Sequence, residues 1–350
     1  MINQPLIDCF QEVIATKENF AFWRYPKESS ISFVSNMKQN DCFSDEKAAF
    51  YFQRFAPDSN SVYLFDTSLV RKFELESVAF SVADIAFTSE DRSVFETQVE
   101  QGIQRIAEGR LTKIVLSRKV STEIDLNLID SYIHMCLTYP AAFCYLFYTA
   151  EIGFWMGASP ELFCEVSDGT ATSMSLAGTR FATDYQPFLD KEFREQEFVT
   201  QFISSKLADL VYRVRVSDRT EIQAGNLIHL QTIISGRLLE HATLNQLIAA
   251  LHPTPAVCGL PQQKAFQAIS EIEKYDRSFY TGVVGVVNGV QQNKINARLY
   301  VNLRCMNYRD QQTTLYAGCG IVADSNPPAE FEETEQKFKT IKRILVANNS

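Results

Sequence analysis

The sequence predicts an α+β domain, and three observations carry that reading. Short runs of β-branched and aromatic residues recur along the chain, with helical-period segments interspersed among them. The regular strand–helix–strand alternation of a doubly wound sheet is missing. No internal repeat, low-complexity tract or linker divides the chain. Residues 1–88 are therefore read as a scaffold part of the same domain as a functional region over 89–350.

Taken in order, residues 20–25, 30–35 and 61–65 run or alternate apolar like strands, and 45–55, with Phe50, Tyr51 and Phe55, reads as a helix. Ser89, Glu90 and Asp91 can cap the next helix. There Phe95, Val99, Ile103 and Ile106 keep helical spacing, and Gly109 stops it. In the strand 111–119, Lys113, Val115 and Ser117 share one face and Ile114, Leu116 and Arg118 the other. Residues 141–149, 151–156, 162–166 and 171–177 read as a meander. Its turn, Gly157-Ala-Ser-Pro-Glu161, presents a carboxylate at the head of an apolar strand.

A helix beginning near Asp190 carries an apolar stripe of Phe198, Phe202, Leu210 and Val211. A strand starts at 227–230 and turns at Ser235-Gly-Arg. With three prolines, 251–261 is a rigid loop. A helix over 262–275 and strands over 280–287 and 297–305, the latter carrying Arg304, follow. The last helix takes Ser325 or Asn326 as cap and Pro327-Pro328 in its first turn, and buries Phe331, Phe338, Ile341 and Leu345.

Composition narrows the function. The 350 residues, 46% hydrophobic, suffice for a large core, and a net charge of −9 argues against nucleic acid or an anionic membrane as partner. An anionic substrate would need a locally basic pocket. Residues 1–8 lack the basic and apolar regions of an export signal, and the longest apolar stretch, 141–148, is too short to span a bilayer. None of the eight cysteines forms a C-x-x-C pair, so they read as buried reduced thiols. A cytoplasmic protein is expected.

The candidate chemistry lies in two acidic helices. Glu330, Glu333 and Lys337 share one face of the last helix, close after the glycine-rich Gly318-Cys-Gly320. Glu192 and Glu195 repeat the Glu-x-x-Glu spacing upstream. Facing each other, the two pairs would offer a hard divalent cation carboxylate oxygens, although a solvated helix face accounts for either pair alone. Lys113 is flanked by apolar residues, as a snorkelling or edge-strand lysine also can be. Turn chemistry explains Ser159-Pro160 but not Glu161. His229, alone in an apolar strand, fits a satisfied core group.

Taken together and in order, several segments resemble the chorismate-utilising enzymes, a family that includes isochorismate, salicylate, anthranilate and aminodeoxychorismate synthases. They are Lys113-Ile-Val-Leu-Ser-Arg118, Gly157-Ala-Ser-Pro-Glu161-Leu, Leu176-Ala-Gly-Thr-Arg180, Lys191-Glu-x-x-Glu195-x-x-x-Val199 and Leu251-His-Pro-Thr-Pro-Ala256. Glu273-Lys-Tyr-Asp-Arg277, Asn302-Leu-Arg304, Ala317-Gly-Cys-Gly-Ile321 and Glu330-x-x-Glu333-x-x-x-Lys337 complete the set. The resemblance covers residues from about 90 to 345 and is loose over the first 88. It implies two large antiparallel sheets packed as a single-domain sandwich, helices outside, and a site in a cleft.

It also implies magnesium, with Glu195 and Glu333 as direct ligands and Glu192 and Glu330 close behind, holding the ring carboxylate of chorismate. Gly178, Thr179, Ala256, Arg304, Gly318 and Lys337 match substrate-contact positions, and His229 and Tyr280 would line the same cavity. Ala177 stands where aminodeoxychorismate synthases keep a nucleophilic lysine. Lys113 matches a general base that ammonia-using members lack. The resemblance therefore implies the water-using, isochorismate-forming branch, with no glutamine amidotransferase subunit.

Lys113 would deprotonate water for attack at C2 while protonated Glu161 donates to the departing C4 hydroxyl. Lysine must then fall from about 10.4 toward neutrality and glutamic acid rise from about 4.3. Magnesium and a nearby Arg118 would favour the first, and burial the second. Salicylate synthase is the nearest alternative. A non-catalytic chorismate-binding protein is the alternative of another class, disfavoured by the presence of both base and acid. Menaquinone biosynthesis is the expected destination and a siderophore the alternative. Gln196, Tyr275 and Cys319 depart from the family's usual histidine, phenylalanine and alanine without removing a chemical role.

Overall fold

Aromatic strands that are apolar on both faces need a partner layer on each side, and the fold supplies one. The computed structural model describes residues 3–40, 47–56, 60–82, 85–89, 92–181, 187–224, 227–291 and 294–348. One sheet runs Gly259–Leu260, Lys113–Glu123, Gln312–Ile321, Cys305–Arg309, Gly153–Ser159, Phe143–Thr149, Phe20–Arg24, Ser30–Val34 and Arg71–Glu74, with Thr88–Ser89 beside Lys113–Glu123. The other runs Arg215–Val216, Leu227–Arg237, Thr170–Phe181, Leu162–Ser167, Lys294–Val301, Val283–Gln291, Ala48–Gln53, Asn60–Leu64 and Lys38–Asn40, with Thr220–Ala224 beside Leu227–Arg237. The long ladders are antiparallel, and strands from the first 88 residues join both sheets.

Between the sheets lies an aromatic core. Phe50 stacks on Phe147 with centroids 5.1 Å apart, Phe143 on Tyr300 at 4.4 Å and Phe52 on Phe279 at 4.3 Å. Seven helices among the described residues lie outside: α1 (Gln4–Thr16), α2 (Arg92–Ala107), α3 (Leu128–Thr138), α4 (Asp190–Ala208), α5 (Leu244–Leu251), α6 (Gln262–Ile272) and α7 (Pro327–Lys342). Helices α1, α3 and α7 pack on the outer face of the first sheet, α2 and α6 at its Lys113–Glu123 edge, and α4 and α5 on the second sheet. The seven described cysteines are unpaired and buried.

Several elements differ from expectation. Residues 48–53 form a strand, not part of a helix. Phe50 and Phe52 enter the inter-sheet core while Ala49 and Tyr51 enter the outer one. A run buried on both faces carries no period to distinguish strand from helix; residues 45 and 46 lie outside the described residues. Ser235-Gly-Arg is not a turn, because the strand continues to Arg237. Gly236 is needed for close approach: a Cβ there would sit 2.5 Å from Val211 Cγ2. The fully buried stripe of α4 is Val199, Ile203 and Leu207; of the expected residues Phe202, Leu210 and Val211 join the same core, the last two beyond the helix end, and Phe198 does not. Of the expected α2 cap, residues 90 and 91 lie outside the described residues, while Gly109, at φ +71°, follows the helix end as expected.

The expected meander is split between sheets. The chain leaves the first sheet after Ser159 and enters the second at Leu162, crossing at Pro160-Glu161. It returns from Val301 to Cys305 through Asn302-Leu-Arg304, so Arg304 lies off the strand at φ +47°. The two crossings are bonded side by side. Val301 N donates to Glu161 O (3.0 Å), Ser159 Oγ to Val301 O (2.5 Å) and Ala158 N to Arg304 O (3.1 Å). Asn302 accepts from Tyr145 Oη (2.7 Å) and donates to Phe279 O (2.9 Å).

Removing one ring from the inter-sheet stack should leave a cavity that rigid strands cannot close. Phe52→Ala is expected to lower unfolding free energy by about 3–5 kcal/mol. Denaturant titration at unchanged slope checks this, and a loss below about 1 kcal/mol would mean the stack is not the core it resembles.

Candidate active site

The two crossings, the strand Gln312–Ile321 and helices α4 and α7 surround one pocket of about 900 Å³, its open mouth included. Glu161, Gly178, Glu192, Glu195, His229, Ala256, Tyr280, Arg304, Gly318, Glu330, Glu333 and Lys337 all line it. Residues drawn from across the sequence thus converge as expected. Thr179 pairs with His229 in the ladder, but its side chain lies outside the described residues.

Lys113 does not line the pocket. It is fully buried behind Glu195, with Nζ 2.9 Å from Glu195 Oε1. Gly320 opens this contact, since a Cβ there would sit 2.3 Å from the same carboxylate oxygen and 3.1 Å from Lys113 Cε. Arg118 was expected to act on the Lys113 amine, and the structure corrects this. Strand alternation turns its guanidinium to the opposite face, where it lies 4.1 Å from the Phe331 ring centroid, donates to Thr334 Oγ1 (2.7 Å) and pairs with Glu335.

The other carboxylates also have protein partners. Glu333 Oε1 accepts from Lys337 Nζ at 2.6 Å, and the same ammonium donates to Gly318 O at 2.7 Å. Glu192 reaches back to Leu189 N at 2.8 Å, capping α4, and Glu330 is buried against the Cys319 thiol. Asn326 caps α7 by accepting from Ala329 N at 3.1 Å, which fixes where Glu330 and Glu333 emerge. Among the described residues no three His, Cys, Asp or Glu side chains are drawn closely enough together to hold an ion. The four carboxylates nevertheless form an all-oxygen donor set around one pocket, which suits a hard cation.

Electrostatics separate the remaining groups. Burial pushes the Glu161 carboxyl up to about 8, against the opposing pull of Lys113, Arg304 and Lys337. It therefore holds its proton at neutral pH. Burial, then the Arg304 and Lys337 charges, bring His229 down to about 3, so it is a neutral hydrogen-bonding wall. Tyr280 stays a phenol, raised by burial, and stacks on Tyr316 at 5.4 Å. Gly178, at φ +71°, brings the backbone against Glu192, leaving 3.0 Å between Glu192 Cβ and where its own Cβ would be. Tyr316, Thr281 and Leu303 also line the pocket and were missed. Tyr316 is held by stacking between Tyr280 and Trp155, a contact that no sequence spacing marks.

The family is now established. The chain belongs to the chorismate binding enzymes, whose family model matches residues 42–343. "Isochorismate synthase DhbC" of Bacillus subtilis is 33% identical over 272 residues, covering 72% of this chain and 67% of the relative. "Isochorismate synthase EntC" of Escherichia coli is 30% identical over 269 residues, covering 73% and 68%. A Bacillus anthracis structure described as a putative 2,3-dihydroxybenzoate-specific isochorismate synthase shares the fold. Its TM-score is 0.80 at 23% identity, over 95% of this chain and 98% of that one.

The raised Glu161 carboxyl has a consequence for stability. An unfolded carboxyl ionises near 4.5 and the folded one near 8, so this group's contribution is complete below 4.5 and lost as pH rises through about 8. Glu161→Gln cannot ionise. Its denaturation midpoint should therefore fall less than the wild type's between pH 5 and 9, and parallel curves would show that the carboxyl is ionised throughout.

Proposed function

We propose that this chain is an isochorismate synthase, adding water at C2 of chorismate and expelling the C4 hydroxyl. The observation that carries the reading is a buried carboxyl, Glu161, whose burial favours its protonated form, in a pocket backed by a buried lysine, Lys113. Relatives named isochorismate synthase at 30–33% identity support it. In the reaction the new C2–O bond forms as Lys113 takes a proton from water. The two ring double bonds shift, and the C4–O bond breaks as Glu161 gives its proton to the leaving hydroxyl, releasing water. Lys113 must first give up its own proton and part from Glu195, because an ammonium has no lone pair with which to accept one from water.

Arg304 and Lys337 supply positive charge for the substrate carboxylates, and the Gly178 and Gly318 backbones allow the ring to approach closely. We further propose magnesium held by Glu195 and Glu333 with Glu192 and Glu330 behind, where it would supply charge for the ring carboxylate. Lys113 and Ala177 favour water over an amine as nucleophile, so no amidotransferase partner is invoked. The names of similar relatives, including the vibriobactin-specific synthase, support a siderophore destination over the menaquinone expected at first.

Purified protein given chorismate and magnesium should yield isochorismate by chromatography. Excess chelator should abolish turnover, and added magnesium restore it. Glu161→Gln should lose about 10²–10⁴-fold in turnover while still binding chorismate, and wild-type turnover should fall as pH rises through about 8. Salicylate as the main product would move the chain to the pyruvate-eliminating branch. No turnover, or a fully active Glu161→Gln, would overturn the reading.

A further inference from the structure

The segment Glu273-Lys-Tyr-Asp-Arg277 contributes nothing to the pocket lining, yet it contains the most heavily bonded ion pair among the described residues. Glu273 and Arg277 are both buried, four residues apart just beyond α6. All five guanidinium N–H groups are used. Nε and Nη2 meet the two Glu273 oxygens at 2.8 and 2.6 Å, Nη2 also meets Val115 O at 2.7 Å, and Nη1 meets Val257 O at 2.8 Å and Thr281 Oγ1 at 3.4 Å. Glu273 Oε1 also accepts from Ser117 N (2.7 Å) and Ser117 Oγ (3.0 Å). The Phe55 ring closes the outer side, its centroid 4.4 Å from the guanidinium carbon.

The partners of this pair are not scattered through the core. Val115 and Ser117 flank the stretch of strand that begins with Lys113, and Ser117 lies opposite Gly318 in the ladder. Val257 follows Ala256, and Tyr280 N donates to Arg277 O at 2.9 Å. Tyr275 adds a hydroxyl bond to Ser117 Oγ at 2.6 Å, one that phenylalanine at this position could not make.

We propose that Glu273 and Arg277 are positioning residues for the reaction. Their buried pair locks the strand carrying Lys113, the loop carrying Ala256 and the turn carrying Tyr280 into one rigid unit. A bidentate, fully bonded pair fixes direction as well as distance, and a displacement of about 1 Å at a reacting group can cost about 10²-fold in rate. The inference rests on the reaction proposed above, because it acts through Lys113.

The test compares Arg277→Lys, which keeps the charge but loses the fork, with Glu273→Gln/Arg277→Met, which removes both charges together so that neither is left buried alone. Thermal melting and circular dichroism establish that each is folded. For the folded variants kcat should fall about 10- to 10²-fold while KM rises less, because three of the bonds hold the base strand. Adding Lys113→Ala to either should give a total loss much smaller than the product of the two separate losses, since three of the clamp's bonds act through the Lys113 strand. Folded variants with wild-type kcat would overturn the proposal, as would losses that multiply with Lys113→Ala. If both clamp variants fail to fold, the pair is structural and the proposal falls. A wild type that makes no isochorismate would instead remove the reaction itself, so the two failures are distinguishable.

Discussion

The hydrogen bonds that tie the two sheet crossings together set the geometry on which everything in the pocket depends. One crossing carries Glu161 and the other Arg304, and three bonds through Ala158, Ser159, Glu161, Val301 and Arg304 hold them side by side. A chain passing between layers must bury backbone that neither sheet can pair. Here each crossing satisfies the other. The result is an acid and a cation lining one cleft, placed by bonds to the backbone, with the aromatic sandwich packed beneath.

A second feature follows from burying so much charge. Besides Glu161, four glutamates line the pocket of an acidic protein, and two of them, Glu195 and Glu333, are held by lysines, Lys113 and Lys337. A carboxylate withdrawn even partly from water is costly to leave unpartnered, and here a lysine meets each of these two. The same lysines are the ones that the proposed reaction needs as base and as carboxylate anchor.

Much of this was legible in the sequence because motif residues keep their local roles. The α7 cap and proline start, the strand alternation around Lys113 and the Glu-x-x-Glu spacing are local rules, and the structure realises all three. What was not legible is tertiary. Residues 48–53 carry no usable period because both faces are buried. The crossings at Pro160-Glu161 and Asn302-Arg304 look like ordinary turns or strand ends until the second sheet is in place. Arg118 illustrates the limit: alternation put it on the face away from Lys113, yet only the structure showed aromatic rings and Glu335 taking up its charge. Tyr316 and the Lys113–Glu195 pairing likewise exist only across elements far apart in sequence.

In the proposed reaction solvent water, activated on the Lys113 side of the pocket, becomes the hydroxyl at C2. Turnover in oxygen-18 water, with the product's C2 hydroxyl analysed by mass spectrometry, tests it most directly. One labelled oxygen is expected at C2 in each product molecule. Product carrying unlabelled oxygen there would mean that the C4 hydroxyl migrates within the substrate, and would contradict the water-activating role assigned to Lys113.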